Sequence, residues 1–130
     1  MNEQFFEDSS ASEHRIHRLN EFPINHEGEF VLYWMTASRR YHYNSALEHS
    51  ITLATELGKP LLVVEPVCIR HSCSSDRILN FFVQGIIYNN AIFASNELTY
   101  IPWVETHKQT GNGLLRNLSQ RSCAVVIDDF

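Results

Sequence analysis

The side chains best suited to binding a ligand lie in two short segments of this 130-residue chain. One is a polar loop that follows an apolar run, and the other is an acidic pair near residue 128. Two adjacent arginines in the loop could bind a phosphate or another anionic group through their planar guanidinium groups. Tyr41 and Tyr43, in the same loop, could stack on a planar ligand. The candidate ligand-binding residues are Met35, Thr36, Ser38, Arg39, Arg40, Asn44 and Asp128.

These residues also have structural interpretations that the sequence leaves open. Arg39 and Arg40 could lie in a solvated loop and pair with Asp128 or Asp129. Asn44 could cap a helix and have no further role, because asparagine favours that position. The sequence alone does not separate ligand contact from internal pairing.

The cysteines do not form a recognisable metal-binding pattern. Cys68, His71, Cys73 and the distant Cys123 contain zinc-binding atoms, but the paired Cys-x-x-Cys knuckles of common zinc modules are missing. We therefore predict no metal site. An odd number of cysteines without secretory spacing favours free thiols in a reducing, cytoplasmic location.

The strands that would position the polar segments follow from the hydrophobic pattern. Residues 30–35, 61–64 and 123–127 are apolar runs of strand length, which suits strands buried on both faces. The second of these runs is expected to end at Glu65 and Pro66. Residues 98–104 predict another strand, and Pro102 within it favours a sheet edge because proline cannot donate to a ladder.

Three helical patterns separate these strands. The first begins at a capping-box pair, Ser45 and Glu48, and ends at Gly58 before Pro60. The third follows residues 111–113 and carries three leucines. The second begins at residues 74–76, and the residues expected on its inner face are Ile78, Phe82, Ile86 and Ile87.

Alternating strands and helices predict a doubly wound, parallel α/β fold of the Rossmann-like kind. Right-handed crossovers and an edge third strand favour the order 3-2-1-4. Strands 1 and 4 are then neighbours at the topological switch point, where such sheets bind ligands. This topology would bring residues 35–40 and the acidic pair to one crevice.

The two ends of the chain carry separate expectations. Residues 1–28 are predicted to form an amino-terminal arm packed through Ile16, Leu19, Phe22 and Ile24, and residues 29–130 the α/β domain. Residues 125–127 would leave an exposed apolar edge, which soluble proteins usually cover. We therefore expect a further strand, a second domain or a partner chain beside strand 4, and a fold truncated after that strand.

Composition limits the partners of the isolated chain. Ten lysines and arginines against fifteen aspartates and glutamates give a net charge of −5. A nucleic-acid-binding protein is expected to carry a basic face, so the chain alone is a poor DNA binder. No stretch resembles a signal peptide or a membrane span, and no membrane partner is predicted.

Several segments, in order, are similar to the N-terminal α/β domain of DNA photolyases, and most of all to the class II type. The similarity runs from about Arg15 to Phe130 and includes Arg-Leu-Asn at 18–20. Its main segment is Val-Leu-Tyr-Trp-Met-Thr-Ala-Ser-Arg-Arg at 31–40, followed by Asn-Ser-Ala-Leu at 44–47. It continues through Glu-Leu-Gly-Lys-Pro-Leu at 56–61, Gly-Leu-Leu at 113–115 and Val-Val-Ile-Asp-Asp-Phe at 125–130. Arg40 and Asn44 match the wider family pattern, whereas Thr36, Ala37, Ser38 and Tyr43 stand where many photolyases carry charged residues.

The resemblance implies a light-driven lyase that splits cyclobutane pyrimidine dimers in DNA with reduced FAD as the electron donor. In that family this domain can hold an antenna chromophore of the deazaflavin or flavin type. A following helical domain holds FAD, the flipped lesion and the electron-transfer tryptophans. This chain would then be inactive alone and would meet DNA only within the full-length enzyme.

Two other functions remain open on the sequence. The chain could be a stand-alone module that binds a nucleotide or flavin-like ligand at the switch point without catalysis. It could also be a structural fragment whose strand 4 pairs with a separate chain carrying the FAD-binding domain.

Overall fold

The computed structural model describes residues 15–68, 76–105 and 113–129. Within these ranges strands and helices alternate along the chain. The predicted doubly wound α/β layout is therefore confirmed. The elements are β1 (Phe30–Trp34), α1 (Ser45–Leu57), β2 (Leu61–Cys68), α2 (Asp76–Ser95), β3 (Thr99–Glu105), α3 (Leu114–Arg121) and β4 (Ser122–Ile127).

The strands form one parallel sheet in the order β3-β2-β1-β4, as predicted. β1 is central, and its Leu32 aligns with Leu62 of β2 on one side and Val125 of β4 on the other. The strand with Pro102 lies at an edge, as its missing N–H group requires. The adjacency of β1 and β4 places the topological switch point where the sequence predicted it.

The main core lies on the sheet face that packs against α1 and α2. Val31 and Tyr33 of β1 and Met35 just after it alternate along the chain, belong to this core and are fully buried. Leu47 of α1 and Phe93 of α2 pack against them. Because successive side chains of a strand point to opposite faces, Leu32 is buried on the other face.

The start of α1 differs from the predicted capping box. The N-cap is Asn44, with φ −122° and ψ 94°, and its Oδ1 accepts a hydrogen bond from the backbone N–H of Leu47 at 3.0 Å. Ser45 is the first helical residue and therefore cannot cap. The other end follows the prediction, because Gly58 adopts φ 63° and donates its N–H to the last turn.

β2 is longer than predicted. It runs four residues past Val64 to Cys68, and Glu65 and Pro66 lie inside the strand, paired with β3. The last pair between β1 and β2 is Trp34 with Val64, so the extension has a strand neighbour on one side only. A proline is tolerated there because its missing N–H breaks no ladder on the unpaired side.

The inner face of α2 is rotated from the predicted one. Phe82 and Ile86 are half-buried as expected, but Ile87 is 65% exposed and Ile78 is 40% exposed. The helical spacing that begins at Phe82 and Ile86 continues through two fully buried residues, Asn89 and Phe93. The prediction failed because it counted only apolar positions and so left out the asparagine. The predicted start at residues 74 and 75 lies outside the described residues.

The segment before β1 does not pack as predicted. Leu19 and Phe22 are 82% and 80% exposed. The chain is instead attached to β4 further on, where the N–H of Asn25 donates to the carbonyl of Cys123 at 2.9 Å. Gly28 lies so close to that strand that a Cβ would approach the Cys123 nitrogen to 2.4 Å. This contact, rather than the apolar side chains, anchors the start of β1; the division into an arm and a domain stays a prediction.

Candidate functional site

The loop between β1 and α1, residues 35–44, closes over the carboxyl ends of β1, β2 and β4. It contains six of the seven candidate ligand-binding residues, and the seventh, Asp128, follows β4 directly. Hydrogen bonds connect the loop to Asp128 on one side and to Glu65 and Pro66 of β2 on the other. The structure therefore brings the predicted residues together in one region.

Asp128 is the centre of a dense set of donors. Its Oδ1 accepts hydrogen bonds from the backbone N–H of Thr36 at 2.7 Å, the N–H of Ala37 at 3.0 Å and the Thr36 hydroxyl at 3.0 Å. Its Oδ2 accepts from the N–H of Ser38 at 2.6 Å and the Tyr33 hydroxyl at 2.9 Å. The side chain is only 8% exposed. These donors form a nest of N–H and O–H dipoles around one buried carboxylate.

This environment decides the charge of Asp128. Burial by itself would raise the pKa of the carboxyl group, but the N–H groups of Ala37, Thr36 and Ser38 outweigh burial and hold the pKa below its usual value. The opposite applies to Tyr33, because burial raises the pKa of its hydroxyl. Asp128 is therefore ionised and Tyr33 protonated at neutral pH, which suits the hydrogen bond between them.

Asn44 is buried in the same network and uses both ends of its amide. Its Oδ1 caps α1, while its Nδ2 donates to the carbonyls of Ser38 at 3.0 Å and Arg40 at 2.9 Å. The Nδ2 also lies 3.0 Å from the Tyr33 hydroxyl. Asn44 thus combines the predicted cap with a second role, since it fastens the loop to the start of α1.

Arg39 makes the internal ion pair that was one of its two interpretations, but with a different partner. Its Nη1 lies 3.4 Å from Glu65 Oε1 and donates to the carbonyl of Pro66 at 3.0 Å. The guanidinium carbon lies 5.2 Å from the centre of the Phe82 ring. The predicted pairing of Arg39 with Asp128 is wrong because the hydrogen bonds of the nest already satisfy that carboxylate, whereas the buried Glu65 pairs with the guanidinium group.

Glu65 is a buried site residue that the sequence reasoning missed. It is 2% exposed, and besides Arg39 it accepts hydrogen bonds from Asn89 Nδ2 at 3.1 Å and from the Tyr100 hydroxyl. Burial raises the pKa of that hydroxyl, and the hydrogen bond to Glu65 adds to the effect. A carboxylate within the apolar run of β2 was the available signal, since a charge is seldom buried without partners.

The far side of the loop is more open. Arg40 is exposed, and its Nε and Nη2 donate to the carbonyl of Tyr43 at 3.3 and 3.2 Å. Tyr43 is 83% exposed and has a positive φ of 54°. Tyr41 instead packs edge-to-face on the ring of Phe93, with 5.4 Å between ring centres. Of the two tyrosines, only Tyr43 presents its ring to solvent.

Burial divides the seven candidate residues into two groups. Met35, Asn44 and Asp128 are buried, and their polar atoms bond within the chain. Thr36, Ser38 and Arg39 are half-buried and Arg40 is exposed, so these four are the candidate residues that solvent reaches. A shallow hollow of about 360 Å³ lies at the opposite end of the sheet, beside Pro60 and Leu98.

Only part of the candidate zinc-binding set lies among the described residues. Within residues 15–68, 76–105 and 113–129, no group of three or more His, Cys, Asp or Glu side chains is arranged to hold a metal ion. His71, Cys73 and the side chain of Cys68 lie outside the described residues. Cys123 is a buried free thiol. In the same ranges, no helix is long and apolar enough to cross a membrane.

Comparison with known proteins found one informative similarity. The chain is 39% identical over 72 residues to a deoxyribodipyrimidine photo-lyase of Methanothermobacter thermautotrophicus. The match spans 55% of this chain but only 16% of that relative's length. No family model matches the chain. The similarity supports a relation to photolyases, the family that the sequence resembles.

Proposed function

We propose that this chain forms the N-terminal α/β domain of a light-dependent deoxyribodipyrimidine photo-lyase, which repairs cyclobutane pyrimidine dimers in DNA. The identity of 39% over 72 residues to a photo-lyase carries the proposal. The parallel sheet with β1 and β4 at its switch point accords with it. The Tyr-Trp-Met element at residues 33–35 supports the class II type.

The work of such an enzyme is divided between domains. The family resemblance assigns FAD, the flipped lesion and the electron path to a helical domain, and the α/β domain supports that domain. The acidic net charge of −5 also favours DNA contact through another part of the enzyme. The isolated chain is therefore inactive in repair. A cytoplasmic location accords with the buried free thiol of Cys123.

The proposed contribution of this domain is to hold an antenna chromophore of the deazaflavin or flavin type at the loop of residues 35–44. The half-buried hydroxyls of Thr36 and Ser38 and the exposed guanidinium of Arg40 suit the polar edge of a planar ring. Met35, Asn44 and Asp128 lie behind these groups and hold the loop in shape. Bound there, a chromophore would absorb light and pass the excitation on.

A partner beside β4 is part of the same proposal. β4 is the end strand of the sheet formed by the described residues, and Ile127 at its end is 43% exposed. An unpaired apolar strand favours pairing with another segment. We assign this edge to a further strand of the same polypeptide, or to a separate chain that carries the FAD-binding domain.

A repair assay tests the division of labour. The purified chain, supplied with reduced FAD and near-ultraviolet light, is expected to leave an oligonucleotide with a cyclobutane thymine dimer unchanged. A complete photolyase serves as the positive control. Measurable dimer reversal by the isolated chain would contradict the assignment of catalysis to another domain.

A ligand titration tests whether the loop of residues 35–44 binds a flavin-like ligand. Riboflavin and 5-deazariboflavin are expected to bind saturably, as followed by fluorescence quenching. Arg40→Ala should weaken binding several-fold, because it removes the exposed cation beside the crevice. Arg116→Ala is the matched control, since it removes an exposed arginine of α3 away from the loop. Equal affinities for the two variants, or no saturable binding at all, would refute the proposed site.

A further inference from the structure

The nest around Asp128 has the composition of an oxyanion-binding site. Three consecutive backbone N–H groups, those of Thr36, Ala37 and Ser38, point at one carboxylate, and two hydroxyl groups complete the set. Doubly wound folds that bind nucleotides use the same position, the turn after the first strand, to bind ligand phosphate through backbone N–H groups. Here the anion in that position belongs to the chain itself.

We propose that the turn after β1 is an oxyanion site permanently occupied by the Asp128 carboxylate, and that Asp128 determines specificity by excluding phosphate groups from it. The site would otherwise take a tetrahedral oxyanion such as phosphate or sulfate. The wild-type crevice therefore accepts only ligands that present no phosphate to this turn. This inference is independent of the photolyase proposal, because it concerns the turn and not the chromophore.

The contacts of Asp128 support a site built for an anion rather than an ordinary ion pair. Asp128 is 8% exposed as a residue, and the hydrogen bonds to its carboxylate oxygens from the described residues come from uncharged N–H and O–H groups. The neighbouring cation, Arg39, pairs with Glu65 instead. Such dipoles favour an anion of any source, because they provide fixed positive potential without a charge of their own.

Tethering explains why free anions would not compete in the wild-type chain. Asp128 follows β4 directly, and its backbone carbonyl also accepts from the Thr36 hydroxyl at 3.2 Å. A group attached to the chain acts at an effective concentration on the order of millimolar for a short flexible tether. A carboxylate held in position at the end of a strand has a higher effective concentration than one on a flexible tether. Phosphate at cellular concentrations is then unable to displace the carboxylate.

Removing the carboxylate should open the site. The test compares thermal unfolding of wild type, Asp128→Ala and Asp129→Ala in sodium phosphate and in sodium chloride of equal ionic strength. Asp128→Ala is expected to unfold at a lower temperature in chloride and to regain stability saturably in phosphate. At ten times the dissociation constant, the ratio of folded to unfolded chain should rise about tenfold. Wild type and Asp129→Ala should not respond, since their nest stays filled.

Other variants and a direct measurement complete the design. Asp128→Asn is expected to fold without responding to phosphate, because its amide still fills the space. Phosphorus-31 line broadening should report phosphate binding to Asp128→Ala alone. Equal phosphate responses in Asp128→Ala and wild type would overturn the proposal. Failure of Asp128→Ala to fold in both phosphate and chloride would also overturn it, because an external anion would then not replace the carboxylate.

Discussion

At the residue scale, the polar core of this protein is satisfied by the chain itself. The Asp128 carboxylate accepts hydrogen bonds from N–H and O–H groups, and Glu65 is bonded by a cation and two neutral donors. The Asn44 amide bonds to backbone groups of the loop that it fastens. Burial of a polar group costs free energy unless its hydrogen bonds are made. Each of these three residues should therefore be sensitive even to conservative changes.

Asn44→Asp is expected to destabilise the chain although aspartate is normally a good N-cap. The new carboxylate could still accept from Leu47, but it would face the carbonyls of Ser38 and Arg40 without a proton to donate. Each buried group left unsatisfied costs about 1–3 kcal/mol in the free energy of unfolding. Urea unfolding measures the loss. Ser45→Ala is the matched control, and a loss as large in that variant would restore the capping-box interpretation.

The stability conferred by Asp128 should depend on pH in a defined direction. Its folded pKa lies below the value of about 3.9 for an unfolded chain. The contribution is therefore fully present above that pH and is lost as pH falls through the folded pKa. The difference in unfolding free energy between wild type and Asp128→Asn should be large at pH 7 and should shrink below about pH 4. A difference independent of pH would contradict an ionised, stabilised carboxylate.

At the element scale, the sheet is assembled by contacts that hydrophobic patterns do not encode. Gly28 packs on the backbone of β4 at the point where the β1–β4 register shifts between Phe30 and Val31. The extension of β2 beyond Val64 receives a hydrogen bond from Arg39 at the Pro66 carbonyl, beyond the last residue that pairs with β1. Backbone geometry at these two positions therefore joins neighbouring elements.

Two glycine-to-alanine substitutions distinguish the close contact between Gly28 and β4 from the general effect of replacing a glycine. Gly28→Ala would place a Cβ 2.4 Å from the Cys123 nitrogen and 2.5 Å from the Ser122 carbonyl carbon, so backbone atoms must move. A loss of about 1–3 kcal/mol in the free energy of unfolding is expected.

Gly85→Ala is the matched control for that change. Gly85 lies within α2, and a Cβ there would have no atom within 4 Å apart from its chain neighbours and the backbone of its own helix. The substitution should stabilise the chain by about 0.5–1 kcal/mol, because alanine favours the helix. Thermal or urea unfolding measures the change in the free energy of unfolding for both variants. Equal changes would show that the Gly28 contact does not contribute to stability.

At the scale of the whole molecule, one surface is unusually apolar. From Ile78 to Ser95, helix α2 carries no charged side chain. Phe81, Ile87 and Tyr88 on its outer side are 75%, 65% and 58% exposed. Adjoining exposed apolar residues promote association of molecules in solution.

Ile87→Lys is expected to raise the highest protein concentration at which the chain is still monomeric, without lowering its stability. The side chain is exposed, so the change in unfolding free energy should stay within about 0.5 kcal/mol. Size-exclusion chromatography over a range of concentrations measures the association. Ile86→Lys, one residue away on the half-buried side, should instead lower the unfolding temperature. A similar loss in both variants would contradict the observed orientation of α2.

The sequence by itself determined the order of elements, the strand order and the meeting of residues 35–40 with Asp128 at one edge of the sheet. Apolar runs of strand length and helical spacings are local, and few topologies satisfy right-handed crossovers with Pro102 at an edge. The same patterns brought six of the seven candidate residues to that edge, whereas Asn44 was selected through the family resemblance. The similarity to a photo-lyase agrees with the family resemblance of the sequence.

Only the tertiary structure decided which polar groups bond to one another. Arg39 pairs with Glu65 and not with Asp128, because the backbone of the turn after β1 already surrounds that carboxylate. Asn89 lies on the inner face of α2 because Glu65, which is 24 positions earlier in the chain, needs a donor there. Such pairings depend on distances between segments far apart in the chain, and no local pattern of hydrophobicity or spacing records them.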